Sequence, residues 1–539
     1  MSHRVPRQAP VLPIVIAIVL ILVGGVSVAR MVWSDAMSAS SGGPDIDRFG
    51  NGERADRAAD ARNDPQSARC GGAPLSAPRE LRGIWITTVE NIDWPSRPGL
   101  PTDQIKSEYL GWLDLAVQRN LNAVFVHVRP SGDALWPSRY APWSEWITGV
   151  RGQGPGFDLM QWMIDETHRR NLEFHAWFNP YRGSQPAPSG AGPDINALAP
   201  DHPLRQHPDW AVVYPSVGTT GSRLHFNPGI PEARKFVEDS MLEAVEKYDV
   251  DGVHFDDFFY QYPVGKQDYP DEDAYRKYGG GLSKADWRRD NVNKLVQEMS
   301  QRIKQLKPWV KFGISPFGIW RNDGTDPSGS PTRGLQSYDE IYADTRLWVR
   351  QQWLDYIVPQ LYWNIGFDIA DYAKLVPWWS AVVKDTRVQL YIGQADYRVG
   401  QSGPWSDPAE LDRQLALNRK YPQVTGSIHF SAKSVRADAL GSVSKYAADF
   451  YSTPALPPVM KWLPNRAPAA PALRSRADGD KTVLNWTGKG VSAAVYRVEG
   501  DKAKLVATRR GGDGEFTGPK GTYCVTELDR SWNESPPSG

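Results

Sequence analysis

The sequence predicts an α/β protein: a (β/α)8 TIM barrel followed by a small all-β, immunoglobulin-like sandwich. Three observations lead there. Between Arg79 and Tyr451, short apolar runs alternate with stretches of helical spacing, which is the signature of βαβ units. Eight such runs within about 370 residues make a closed barrel the economical arrangement. After a Pro/Ala-rich stretch the texture changes to short strands with turn residues between them. An open α/β sheet is the alternative, but no Gly-x-Gly-x-x-Gly or Gly-x-x-x-x-Gly-Lys loop supports it.

The chain has 539 residues, too many for one ordinary core. Its formal net charge is zero, so nothing in the balance asks for nucleic acid or an anionic surface. Tryptophan and tyrosine number 22 each. Such rings pack cores, and they also stack on the apolar faces of sugars. The two cysteines, Cys70 and Cys524, fit neither a disulfide framework nor a metal site. They could pair across the termini of an exported chain, although nothing in the sequence demands it.

Residues 1–33 read as a cytoplasmic tip and a transmembrane or signal segment. Arg4 and Arg7 precede the almost wholly apolar run 11–29, and Val28-Ala29 offers a small residue for signal-peptidase cleavage. The segment either anchors the chain in the membrane with the rest outside or is removed on secretion. Both place the protein in the cell envelope or beyond it. Residues 34–77 have no stable period and read as a disordered linker.

The barrel is expected over 78–452. Strand one is 81–87, followed by a helix at 102–119 with Ile105, Tyr109 and Leu113 on one face. Strand two is 122–130, then a helix at 157–170, and strand three is 172–180. A Pro/Gly/Ser-rich insertion at 182–227 is long enough to shape a site. A helix at 231–248 precedes strand four, Val250-Asp251-Gly252-Val253-His254-Phe255, which runs into Asp256-Asp257-Phe258-Phe259-Tyr260. A second insertion, 261–281, leads to a helix at 284–306 and strand five at 310–316. Residues 344–352 belong to a helix, strand six is 356–364 and strand seven is 388–395. A helix at 407–419 precedes strand eight at 425–431. Residues 453–471 read as a linker, and 472–539 as the sandwich, with strands at 481–486, 494–498, 505–507 and 522–526.

The carboxyl ends of barrel strands form the active face, and polar residues gather there. His127 and Arg129 end strand two, His175 and Asn179 strand three, and Gln360 and Asn364 strand six. Gln394 and Asp396 follow strand seven, and His429 ends strand eight. On an extended strand His254 and Asp256 share one face and Asp257 the other, but the curl of a strand end lets both acids reach the mouth. The bland reading is that one aspartate caps a turn and the other meets solvent. The histidines lie on separate strands, with no His-x-His or His-Glu-x-x-His pattern to hold zinc. No Gly-x-Ser-x-Gly elbow is present at the strand ends, and Ser315 precedes proline.

Carboxylates among Trp and Tyr suit glycoside hydrolysis, in which one protonated acid serves the leaving oxygen and an ionised one attacks carbon or activates water. Asp256 and Asp257 are the central candidates. Asp396 leads as the partner acid, ahead of Asp133 and Asp93. Trp85, Trp94, Tyr181, Tyr260, Trp320, Tyr362 and Trp363, at or past strand ends, read together as a sugar-binding groove. Such carboxylate chemistry requires neither metal nor organic cofactor.

Several of these stretches carry a family likeness. Glu80-Leu81-Arg82-Gly83-Ile84-Trp85-Ile86-Thr87 with Asn91-Ile92-Asp93-Trp94-Pro95 resembles the start of the family 10-like glycosyl hydrolases of bacterial envelopes. So do Val126-His127-Val128-Arg129-Pro130, Phe174-His175-Ala176-Trp177-Phe178-Asn179-Pro180, and the strand-four stretch through Tyr260. Ser315-Pro316-Phe317-Gly318-Ile319-Trp320-Arg321 and Pro359-Gln360-Leu361-Tyr362-Trp363 continue it, so the likeness covers roughly 79–450. The resemblance implies a barrel enzyme acting on peptidoglycan glycan strands stripped of stem peptides, at bonds between N-acetylmuramic acid and N-acetylglucosamine. It places catalysis on Asp256 and Asp257 and implies a fibronectin type III-like tail after Pro471, which could bind envelope or division proteins. One departure stands out: no cysteine follows the apolar run closely, so this is not a lipoprotein. A non-catalytic glycan-binding scaffold and a hydrolase of another polysaccharide are the competing readings.

Overall fold

The computed structural model describes residues 69–187, 191–215, 221–464 and 466–539. Eight parallel strands follow one another round a closed barrel: β1 (Leu81–Ile86), β2 (Ala123–Arg129), β3 (Glu173–Phe178), β4 (Gly252–Phe255), β5 (Lys311–Ile314), β6 (Tyr356–Ile357), β7 (Gln389–Gln394) and β8 (Val424–His429). β8 pairs back onto β1, with His429 opposite Ile84, which excludes the open sheet. A principal helix follows each strand: α1 (Thr102–Gln118), α2 (Leu159–Arg169), α3 (Pro231–Lys247), α4 (Lys284–Leu306), α5 (Thr345–Arg350), α6 (Tyr372–Val383), α7 (Glu410–Asn418) and α8 (Ser442–Phe450).

Local chemistry starts several helices. The carboxylate of Asp158 accepts from Gln161 N at 3.1 Å before α2, the hydroxyl of Ser283 from Asp286 N at 3.1 Å before α4, and Asp371 from Ala373 N at 2.9 Å before α6. Each satisfies an amide that the helix leaves unpaired. Pro231 opens α3, where no amide hydrogen is needed. The helices α6 and α8 lie outside the sequence expectations. In α6, Pro377 interrupts a run that is apolar almost all round, so no polar face marks a helical period. Strand β6 is shorter than expected, although Gln360 beyond it still bridges in parallel to Phe317 and Gly393.

Alternate strand residues point to the barrel axis. Leu81, Phe125, Trp177, Tyr356, Tyr391 and Ile428 form the inner cluster, while Ile84, Val124, Phe174, Val253 and Phe312 face the helices. Inward glycines make room for inward rings: a Cβ on Gly252 would strike the His175 imidazole, and one on Gly313 the Tyr356 ring.

Part of the stretch expected as a linker, residues 459–463, closes the amino-terminal end of the barrel. Met460 and Leu463 join the inner cluster, and Trp462 Nε1 donates to Asp355 at 2.7 Å. Its apolar side chains cover barrel residues that would otherwise meet water. Trp532 reaches the same floor and donates its indole hydrogen to Glu173, which also pairs with Lys311 and, at 2.9 Å, with His175 Nε2.

The C-terminal region packs a three-stranded antiparallel sheet, β9 (Ala472–Asp478), β10 (Lys481–Thr487) and β13 (Gly514–Pro519), against a five-stranded one. The larger sheet holds β11 (Ser492–Glu499), β12 (Lys502–Arg510) and β14 (Tyr523–Leu528). Its remaining strands are Arg69–Cys70 and Ala73–Ser76. The end of the expected tether is therefore ordered, and Ala503 pairs in parallel with Leu75. Cys70 and Cys524 form a disulfide, with Cα atoms 5.7 Å apart, deciding a pairing the sequence left open. The apolar run 11–29 and most of the expected tether lie outside the described residues. Among the described residues no helix is long and apolar enough to cross a membrane.

Candidate active site

The carboxyl ends of the strands open into a cleft of about 240 Å³. Strand β4 ends at Phe255, and the next two residues, Asp256 and Asp257, both face that cleft. A continued strand would have sent them to opposite faces. Their exposures are only 5% and 4%.

Burial, and then the charge of Asp257, pushes the Asp256 carboxyl up to about 7 against the opposing field of Arg182. Asp256 also accepts from Phe258 N at 3.2 Å, and the nearby Asn179 amide favours its charged form. Burial raises Asp257 as well, but the Tyr262 phenol and the Gln360 amide donate to it and favour its charged form. Side by side and buried, each carboxyl opposes the charge of the other.

The walls hold the acids in place. Asn179 reaches His127 Nε2 at 3.0 Å, and the His127 ring stacks on Trp177 at 4.0 Å. Burial, reinforced by Arg182, drives the His127 pKa well below its ordinary value. The Arg182 guanidinium lies 4.7 Å from the Phe258 ring and acts electrostatically on Asp256, Glu90 and Asp257. Glu90, in the loop after β1, is ion-paired to Arg223 at 2.7 Å. One wall is a chain of edge-on rings, Tyr262 against Phe317 at 6.0 Å and Phe317 against Trp363 at 5.5 Å. Trp85, Tyr362 and Tyr397, gathered round Phe430 at 5.9–6.0 Å, line the cleft as well.

Of the residues the sequence singled out, Trp85, His127, Asn179, Asp256, Asp257, Gln360, Tyr362 and Trp363 line this cleft. The structure places the others elsewhere. His254 and His175 lie in the barrel axis beneath it: His254 Nε2 meets Ser315 Oγ at 3.0 Å, and His175 Nδ1 meets Tyr356 OH at 2.9 Å. Asp396 and His429 bond to each other at 2.9 Å against Tyr446 and Tyr451 of the α8 region, on the outer side of the wall. Asp93 is consumed as a staple, accepting from Thr87 N, Ser431 Oγ and Lys433 N at 2.6–2.8 Å. Asp133 accepts from Ser131 N at 2.7 Å and borders a separate small cavity with His202.

The remaining corrections are packing. Trp94 is fully buried and donates to Ile105 O at 2.9 Å, and Tyr181 is fully buried in the core. Tyr260 packs edge-on to Tyr269 and Tyr342, and Trp320 donates to Asp344 at 3.1 Å. Arg129 points outward to the carbonyls of Asn179 and Pro180, Gln394 bonds Tyr372 OH at 2.8 Å, and Asn364 bonds the neighbouring Ile365 carbonyl at 2.8 Å.

Sequence reasoning missed Glu90, Arg182, Arg223, Tyr262 and Arg398, all of which line the cleft. Tyr262 and Arg182 had a signal, since each lies within a few residues of a strand-end motif. Arg223 comes from the long insertion, through the hairpin Ala211–Pro215 with Ser222–Phe226, and nothing local marked it. Among the described residues no group of three or more His, Cys, Asp or Glu side chains is arranged to hold a metal ion.

Comparison with known proteins shows the family of the chain. The model of the glycosyl hydrolase-like 10 family matches residues 80–408. Glycosyl hydrolase YngK of Bacillus subtilis (strain 168) is 46% identical over 486 residues, covering 86% of this chain and 93% of its own. Glycosyl hydrolase DigH of Escherichia coli (strain K12) is 44% identical over 368 residues, covering 65% of this chain and 82% of its own. Among solved structures, α-L-fucosidase isoenzyme 2 from Paenibacillus thiaminolyticus aligns with a TM-score of 0.43 at 13% identity, covering 72% of this chain and 52% of that one.

Proposed function

We propose, for a chain that belongs to the glycosyl hydrolase-like 10 family and is a glycoside hydrolase, that it cuts peptidoglycan glycan strands lacking stem peptides. One observation carries the reading: the adjacent acids Asp256 and Asp257 share a cleft with many aromatic rings and with Arg182, Arg223 and Arg398. The rings suit the apolar faces of sugars. The guanidinium groups suit an anionic glycan, and a muramic acid without its peptide presents a free lactyl carboxylate.

In this reading Asp256 is the proton donor to the leaving oxygen. Its raised pKa keeps it protonated near neutrality, where a general acid must be. Asn179, held by His127, orients it. Asp257, whose charged form the Tyr262 and Gln360 donors favour against its burial, takes the role of the carboxylate that faces the positive charge developing at the anomeric carbon. The aromatic edges fix the sugar plane, so the scissile bond meets Asp256 in one orientation.

The same proposal places the enzyme in the cell envelope, tethered through residues 11–29 or released if that segment is cleaved. The Cys70–Cys524 disulfide supports an oxidising compartment. The test is digestion of purified peptide-free glycan strands by the full chain, with products identified by mass. Release of muramic-acid-containing fragments by the wild type, and none by Asp256→Asn, is the expected result. Cleavage confined to glycans without muramic acid would overturn the substrate assignment.

A further inference from the structure

Hydrolysis at a carboxylate site ordinarily uses two protein acids on opposite sides of the scissile bond, about 5–5.5 Å or roughly 6.5–9.5 Å apart. This cleft is not built that way. Its two coupled acids are chain neighbours on one wall, at the end of β4. The three candidates for an opposing acid are occupied elsewhere: Asp93 by three donors, Asp133 beside another cavity, and Asp396 by His429. Glu90 is the other carboxylate lining the cleft among the described residues, and it is ion-paired to Arg223. The internal stretches 188–190 and 216–220 contain no Asp or Glu.

We propose that the nucleophile is supplied by the substrate: the carbonyl oxygen of the 2-acetamido group attacks the anomeric carbon, Asp257 orients the amide, and Asp256 protonates the leaving oxygen. This rests on the reading that the substrate is built of N-acetylhexosamines, every residue of which carries that group. Substrate assistance is a known alternative to a protein nucleophile in glycoside hydrolysis. Here the geometry meets its two needs. A carboxylate must be placed to accept from the amide N–H, and Asp257 lines the cleft at the base of its aromatic wall, steadied by the Tyr262 phenol. The acetamide methyl needs an apolar seat next to that carboxylate, and the Tyr262–Phe317–Trp363 wall lies there.

The steps balance without any co-reactant but water. In the first, the acetamide oxygen bonds to C1 as the C1–O glycosidic bond breaks, and the Asp256 proton passes to the departing oxygen. The result is an oxazolinium ring whose N–H donates to ionised Asp257. In the second, water gives a proton to the Asp256 carboxylate and its oxygen bonds to C1 on the face the leaving group vacated. The ring C1–O bond opens and restores the acetamide. Two inversions at C1 give net retention.

The experiment uses the full chain, peptide-free glycan strands and β-linked N-acetylglucosamine oligosaccharides. Proton NMR of the first products should show the β-anomer. Successive fluorination of the N-acetyl methyl weakens the carbonyl nucleophile, and kcat should fall by at least about 100-fold from acetyl to trifluoroacetyl. A thiazoline mimic of the oxazolinium should compete with substrate. Asp257→Asn should lose activity even toward aryl glycosides, whereas Asp256→Asn should keep activity toward aryl glycosides whose leaving group needs no proton.

Initial α-anomer, indifference to fluorination, or a sugar ester trapped on the protein would overturn the inference while the substrate reading stood. The anomer and fluorination readouts need only the wild type, so they hold even if a variant fails to fold. Cleavage of glucan or mannan with none of N-acetylated glycans would remove the substrate reading and this inference with it. No cleavage of any of them removes both.

Discussion

Asp396 bonds to His429 Nδ1 at 2.9 Å and accepts from Tyr446 OH at 3.0 Å, on the outer side of the barrel wall. The carboxylate that sequence position favours as partner acid thus ties β7 and β8 to α8 instead of meeting substrate. Asp396→Asn should destabilise the fold by about 1–3 kcal/mol through loss of charge-assisted bonds. Its kcat should stay within a few-fold of wild type. Thermal melts and initial rates on the same preparation check this, and a loss of rate without a loss of stability would contradict it.

Asp256→Asn should behave in the opposite way, with kcat reduced by about 100- to 10,000-fold. Wild-type activity should decline as pH rises through about 7 and the acid loses its proton. Stability follows from the same shift. The folded-state value lies above the ordinary 3.8, so between the two the native protein binds more protons than the unfolded chain, and stability falls as pH rises. The variant carries no such charge. It should be the more stable protein above pH 7, by up to ~4 kcal/mol, with the difference vanishing below about pH 4. Melting curves across pH measure it.

Tyr262→Phe removes the phenol that donates to Asp257. Asp257 then holds its charge less well, and the acid limb of the pH–rate profile should move to higher pH. A fall in kcat of about 10- to 100-fold is expected at the wild-type optimum. A variant with unchanged profile position and reduced rate would assign Tyr262 to packing alone.

The Cys70–Cys524 disulfide fastens the two amino-terminal strands to the C-terminal sheet. Cys524→Ser should cost about 2–5 kcal/mol of stability in that region and leave cleavage at the distant cleft intact. Peptide mapping without reductant, followed by melts of both forms, tests the bond and its worth.

Much of this architecture was legible because its signals are local. The helix 284–306 is read to the residue: Ser283 caps it, and Trp287, Val292, Leu295, Val296, Met299 and Ile303 repeat at helical spacing. Strands β1–β5, β7 and β8 stood out as compact apolar runs bounded by turns. What escaped had no local mark. β9 exposes nearly all its residues, so no alternation betrays it. Arg69–Ser76 folds back on itself as a short hairpin, and joins the larger sheet through a partner more than 400 residues away.

By itself, the sequence determined the barrel and put Asp256 and Asp257 just past its fourth strand, since alternating buried strands and helices admit few closed arrangements. Only the tertiary structure decided which strand-end residues face the cleft. Parallel barrel strands are buried on both faces, so hydrophobicity does not say which alternate set points inward. In β8, Ile428 faces the axis, and His429 therefore faces α8. In β4, the end of the strand at Phe255 frees Asp256 and Asp257 from that alternation and brings both carboxylates into one cleft.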